Sequence, residues 1–268
     1  MKLLLIPLLL LPLQGATLDS ASVTKVINDV RILAPKKAAH TAKVGDRIGG
    51  STSLQTGRRS RAEVIFGDKT VTRIGANSIF SLRQSGRDVE LNSGSILLQV
   101  PKGKGATRIR TATVTAAITG TTLMMEYSVG NWVKVIVLEG EVKLAINGQE
   151  RDVTIKPGEI LVMDPNGRVV PEVMLIDMER LMNTSKLLDK KLFSSLPIAT
   201  EQLIAKALRA QKAALASGSV AQSGKSANSA ALASADARSA AIDSTTAMKR
   251  PLRGPHRKPN ILNRPGPR

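Results

Sequence analysis

The 268-residue chain has no cysteine, two histidines (His40 and His256) and five aromatic residues. Without cysteine there is no disulfide framework, thiolate nucleophile, iron–sulfur cluster, Cys-ligated zinc or acylated lipoprotein cysteine. Two histidines far apart in sequence exclude a His-rich metal site. Phe66, Phe80, Tyr127, Trp132 and Phe193 are spread along the chain, too sparse for a stacking platform of the kind that holds single-stranded nucleic acid. No apolar run reaches the roughly 20 residues of a spanning helix. The longest, Leu3–Leu13, contains Pro7 and Pro12. With its basic start at Met1–Lys2 and the small residues Gly15–Ala16, it predicts a secretory signal peptide over 1–16, cleaved after Ala16 or after Ala21. The mature chain is therefore expected in the periplasm or cell envelope, soluble or peripheral, without an integral span.

What the chain has in plenty is positive charge and β-branched residues. Its formal net charge is +18. From Val23 to Val173, valine, isoleucine and threonine are frequent and glycines punctuate. Ala62, Val64 and Phe66 share one face of an alternating run, as do Val133, Val135 and Val137 with Lys134 opposite, and Val142, Leu144 and Ile146 with Lys143 opposite. Such alternation buries one face of each strand. Asn147-Gly148 between two runs is a hairpin signal. Short strands at this spacing predict a mainly β fold over 23–173, an antiparallel all-β roll or sandwich-like domain. Gly94, Gly140 and Gly158 each precede a small or acidic residue and a strand, a weak repeat without fixed period.

From 174 to 215 the pattern turns helical. Leu175, Met178 and Leu181–Met182 are spaced for one helix face, which Leu187, Leu188 and Leu192 can continue to Phe193. Thr200 is placed to cap a second helix carrying Leu203, Ile204, Ala207 and Leu208. These helices can pack on the β region or on a partner. Over 216–248, alanine and serine make 19 of 33 residues, a low-complexity linker. The stretch 249–268 is basic and proline-rich without an acidic residue, and reads as an extended, disordered tail. Lys249, Arg250, Arg253, Arg257, Lys258, Arg264 and Arg268 are its candidate contacts with an anionic lipid or cell-wall polymer, by counterion release. Arg58, Arg59 and Arg61 form a second basic cluster, more often a polar turn than a binding site. Export disfavours nucleic acid as the partner.

Tests for chemistry find little. Ser219–Ser226 ends in Gly-Lys-Ser like a phosphate-binding loop, but it lacks the first glycine and a preceding strand, so no nucleotide site is expected. No Gly-x-Ser-x-Gly accompanies His40. Asp68, Glu126, Glu139, Glu141 and Glu159 could meet as paired carboxylates, although Asp68, Glu139 and Glu141 adjoin glycine turns, where carboxylates serve the turn. The expectation is no catalytic residue, metal or cofactor.

The stretch from about 44 to 167 resembles the FecR domain of bacterial envelope proteins. The resemblance rests on Gly57-Arg-Arg-Ser-Arg-Ala62-Glu-Val64-Ile-Phe66-Gly-Asp68, on Ile74-Gly75-Ala-Asn77-Ser78 and on Leu91-Asn-Ser-Gly94. It continues in Ile118-Thr-Gly120-Thr121-Thr-Leu123, Glu139-Gly140-Glu141-Val142 and Lys156-Pro157-Gly158-Glu159. Lys69, Ala112 and Leu123 replace the family's usual glycine, proline and phenylalanine. The resemblance implies an all-β domain that works by contact, with Gly57, Asp68, Gly75, Ser78, Gly94, Gly120, Thr121, Gly140 and Gly158 in structural roles. In the name-giving members it implies periplasmic signal relay from an iron transporter to a sigma factor. Those members have a cytoplasmic helical region and a spanning helix, which this sequence does not show. The expectation is a freestanding exported form, with the sigma-regulator role not carried over.

Overall fold

The computed structural model describes residues 18, 20–83, 86–164 and 173–217. The signal segment 1–16, nearly all of the Ala/Ser stretch, the Ser219–Ser226 motif, His256 and the seven basic tail residues lie outside them. The described strands are β1 (Ser20–Ile27), β2 (Val30–Leu33), β3 (His40–Thr41), β4 (Arg47–Gly49), β5 (Ser53–Thr56), β6 (Arg61–Phe66), β7 (Val71–Ile74), β8 (Ile79–Leu82) and β9 (Asp88–Gln99). They continue as β10 (Thr107–Arg110), β11 (Val114–Ile118), β12 (Thr122–Ser128), β13 (Trp132–Glu139), β14 (Val142–Ile146), β15 (Val153–Ile155), β16 (Glu159–Met163) and β17 (Val173–Leu175). Two helices follow, α1 (Met178–Thr184) and α2 (Ile198–Ala216).

The strands make two sheets that share β9. Sheet A runs β4–β1–β6–β7–β9–β12–β13–β16–β17. Sheet B runs β3–β2–β5–β8–β9–β10–β11–β14–β15. The first half of β9 pairs in sheet B and the second half, from Gly94 on, in sheet A. Among the described strands the pairings are antiparallel, as expected, with β9–β10 the one parallel pair. A parallel pair needs a crossover. Here the second half of β9, lying in the other sheet, and the loop after it carry the chain back.

The inner faces meet in one core, with Val64, Ile74, Leu98, Leu123, Val135 and Leu161 from sheet A opposing Leu54, Phe80, Leu91, Ile109, Val114 and Leu144 from sheet B. Val64, Val135 and Leu144 among them come from the alternating runs read in the sequence. The hairpin turn at Asn147-Gly148 joins β14 to β15, with Gly148 at φ +83°.

The recurrent glycines mark where the chain changes sheets. Gly57 leads from β5 to β6, Gly75 from β7 to β8, and Gly94 lies inside β9 at its crossing. Gly120, Gly140 and Gly158 do the same in the second half, from β11 to β12, β13 to β14 and β15 to β16. The order of crossings and hairpins in β5–β9 thus recurs in β11–β16, at nearly equal glycine spacing. Gly94 is no turn before a strand, as its sequence context implied, but a kink within one. A Cβ on Gly94 would stand 2.5 Å from the Ser78 Cα, and its φ is +88°. Only glycine fits both demands.

The outer face of sheet A is buried under a third layer. Arg73, Leu97, Met124, Ile136, Ile160 and Met174 lie side by side across it in register. Over the apolar members of this row pack Met178, Leu181, Leu187, Leu188, Phe193, Leu196 and Ile204. The first helix is shorter than its apolar pattern. It is capped by Asp177, whose side chain accepts from the Arg180 N–H, and stops at Ser185, which is extended (φ −71°, ψ 123°). Residues 186–197 then cross the sheet as irregular chain, turned at Asp189, whose carboxylate accepts from the Lys191 N–H at 2.9 Å. Thr200 does not cap α2. Extended Pro197 precedes the first turn and its carbonyl accepts from the Glu201 N–H, which places Thr200 inside the helix, buried.

Candidate functional site

The two sheets have unlike outer faces, and each candidate residue belongs to one of them or to the crossings between. On sheet B most outward side chains are polar and reach solvent. Two hydrogen-bonded networks order them. In one, Arg108 Nε and Arg110 Nη2 donate to the two Asp88 oxygens at 2.8 and 3.1 Å. Burial works against the Asp88 charge, but these guanidinium bonds outweigh it and hold the carboxyl below its ordinary 3.8. In the other, Arg83 donates to Glu90 at 2.9 Å, Glu90 accepts from Asn92 at 2.9 Å, and Ser81 links Asn92 to Ser53 through two 2.7 Å contacts. Beyond them lie Ala117, Lys143, Ala145 and Thr154, adjacent in register and exposed.

On sheet A the outer face is closed by a clamp that the sequence did not reveal. Arg73 is 2% exposed. Its Nε donates to Glu63 Oε2 at 2.9 Å, its Nη1 to the Leu187 carbonyl at 2.8 Å, and its Nη2 to the Ser194 carbonyl. The guanidinium carbon lies 4.9 Å from the centre of the Phe193 ring. One side chain thereby binds the strands of sheet A to the irregular segment that covers them. The only sequence signals were a charge in the middle of Val71-Thr72-Arg73-Ile74 and its opposite in the neighbouring run at Glu63. Further along the same face, Lys134 is buried. Its Nζ lies 4.5 Å from the Trp132 ring and 3.8 Å from Glu126, which also accepts from the Trp132 indole at 2.9 Å.

The predicted residues fall mostly at crossings. Arg58 and Arg59 are exposed at the β5–β6 crossing, Arg59 at φ +56°, and Arg61 is half-buried at the start of β6. The Arg59 carbonyl accepts from Asn28 and the Arg58 carbonyl from Ser60, so this cluster is woven into a turn. Gly57 sits against Asp29. Ser78 joins Gly75, Gly94 and Ser95. Its N–H donates to Thr56 Oγ1 at 2.9 Å, Thr56 Oγ1 donates to the Gly75 carbonyl at 2.6 Å, and the Ser95 N–H donates to Ser78 Oγ at 3.0 Å. Thr121 donates to the Glu141 carbonyl at 3.1 Å, with Gly140 packed against it. A Cβ on Gly158 would meet Gln211 of α2 at 2.8 Å. Buried Asp68 accepts from the Thr70 N–H and hydroxyl and pairs with Arg87 at 2.7 Å. The next residue, Lys69, holds φ +72° where the family has glycine.

The carboxylates do not converge. Asp68, Glu126 and Glu159 are each engaged with separate partners, and Glu141 is exposed. Glu139 is not a turn residue but the buried end of β13. His40 is exposed in β3. Among the described residues, no group of three or more His, Asp or Glu side chains could hold a metal ion. Among them, too, no helix is long and apolar enough to cross a membrane.

No curated protein matches the chain. Two crystal structures of a "putative anti-sigma factor" from Parabacteroides distasonis ATCC 8503 are similar to it at 16% identity, with TM-scores of 0.42 and 0.41. Each alignment covers 46% of this chain and 59% of the other. The family model described as FecR protein matches residues 52–143, a stretch narrower than 44–167 that takes in β5 to the start of β14. The matched stretch contains the clamp residues Glu63 and Arg73, the crossings from Gly57 to Gly140, and the middle of both sheets, so the similarity to the FecR family lies at the centre of the β fold.

Proposed function

We propose that the protein is an exported, non-enzymatic contact module of the bacterial envelope. A protein partner docks on the open face of sheet B, and the basic tail holds the molecule to anionic surface. The observation that supports this reading is the contrast between faces. The apolar outer face of sheet A is already covered by the chain's own 178–216 segment. The outer face of sheet B is polar, ordered by ion pairs and free of any covering element among the described residues. Preordered polar side chains cost little entropy on docking, and its arginines favour a partner with an acidic patch. Alanine-to-glutamate substitution at 117 and 145, which sets like charge against an acidic patch, should abolish capture of the partner while leaving thermal stability unchanged. Undiminished capture would turn the reading down.

The buried position of Leu18, 2% exposed, supports processing after Ala16. Cleavage after Ala21 would remove Leu18 from the core and begin the chain inside β1. Mass measurement of the exported N-terminus decides between them.

The FecR match favours a second reading, in which the module is the periplasmic part of a signalling or iron-responsive system and its partner spans the membrane. The identity of the captured protein, spanning or not, separates the two.

A further inference from the structure

Between the C-terminal half of α2 and the β13–β14 crossing lies a groove of about 490 Å³. Its volume falls within the range of small-ligand pockets, roughly 300–1,000 Å³. Leu175, Leu203, Ala207 and Ala210 make its walls apolar, and the alanines of α2 are what leave it open. One charged group lies at its floor. The Glu139 side chain is 9% exposed, yet its partners among the described residues are two long contacts, Lys102 Nζ at 3.5 Å and the Thr122 hydroxyl at 3.4 Å. A carboxylate has about four acceptor sites, and an ionised one removed from water is costly unless it is paired and hydrogen-bonded. Burial accordingly pushes the Glu139 pKa up, only partly offset by Lys102 and Thr122. Lys102 itself is 69% exposed and reaches in from solvent, an ammonium on an alkyl chain.

From this geometry we infer that the groove is a binding site for a primary alkylammonium group, with the ammonium on Glu139 and the alkyl chain along the alanines of α2. Lys102 occupies the ammonium position when no ligand is bound. Lys206, exposed on the rim, opposes a cation. Water screens it there, whereas Glu139 acts where water is excluded and a unit charge interacts several-fold more strongly. The inference does not depend on the contact reading of sheet B.

The test is calorimetric titration of the full exported chain with octylammonium chloride, octanol and sodium octanoate at equal ionic strength. Octylammonium should bind about tenfold or more tightly than either of the others. Lys102→Ala, which removes the internal competitor, should tighten it several-fold. Glu139→Gln should weaken it by about tenfold, as should Ala210→Trp, which fills the groove from an exposed position and leaves the β core untouched. Absence of octylammonium binding, equal or tighter binding of octanol or octanoate, or weakening by Lys102→Ala would each overturn the inference.

Discussion

The outer faces of the two sheets start from the same strand geometry and end differently. Both have an alternating pattern that sends one set of side chains into a common core. On sheet B the other set is Arg31, Gln55, Asn92, Arg108, Lys143 and Thr154, which stay in water. On sheet A it includes Leu97, Met124, Ile136 and Ile160, which cannot, and the chain returns over them with a helical layer. Burial on both faces makes β13 a nearly continuous apolar run, where β14 alternates cleanly. The lesson is that the second set of residues in a strand, not the first, tells what lies outside the sheet.

The largest effect is expected where the covering layer is fastened. Arg73→Ala leaves Glu63 buried without its partner and frees two carbonyls of the 186–197 segment. A loss of about 3–5 kcal/mol follows, measured by urea unfolding, with faster proteolysis within 185–217. A change as small as that of a surface arginine would show that the cover does not depend on the clamp. Next comes a crossing. Gly120 holds φ +60°, and a Cβ there would stand 3.0 Å from the Lys102 backbone. Gly120→Val should cost about 2–3 kcal/mol and reduce the yield of exported protein, whereas an unchanged soluble variant would make the position ordinary.

Two carboxylates sharpen the comparison by opposite pH dependence. Asp88 on sheet B has a lowered pKa, so the native state holds its proton less tightly than the unfolded chain. Its stabilising contribution is full above the ordinary 3.8 and fades as pH falls through the native value. Asp88→Asn should therefore destabilise at neutral pH and converge with the parent in acid. Glu139 beside the covering helix has a raised pKa, so stability declines as pH rises from the ordinary 4.5 through the native value. Glu139→Gln should gain in melting temperature relative to the parent over that interval. The same sign for both variants would contradict the assignment. The smallest effect belongs to the tail. Deleting 249–268 should leave the melting temperature unchanged, because a proline-rich charged stretch buries little apolar surface. A drop of several degrees would place the tail against the fold.

Much of the inner architecture was legible in the sequence. Val64, Val135 and Leu144 could be assigned to the core because strand alternation is local. The Asn147-Gly148 hairpin was legible because turn chemistry is local too. The glycines were visible, but their role as sheet crossings was not, since a crossing and a hairpin use the same positive-φ residue and differ only in which strands then pair. The Arg73 clamp joins positions more than a hundred residues apart, and no local pattern carries that information. The groove at Glu139 was hidden for the same reason: a carboxylate before a glycine reads as a turn residue until α2 is seen to cover it. Thr200 misled because capping preference is a tendency of residue type, and Pro197 had already fixed where the helix begins.

The most direct test of the contrast between faces is site-specific photo-crosslinking in the native envelope, with the photoreactive residue at Ala117 or Ala145 on sheet B and at Ala213 on the solvent side of α2. The account predicts one and the same partner from both sheet B positions and none from Ala213. A partner recovered from Ala213 but from neither sheet B position would contradict it and make the helical cover the working surface.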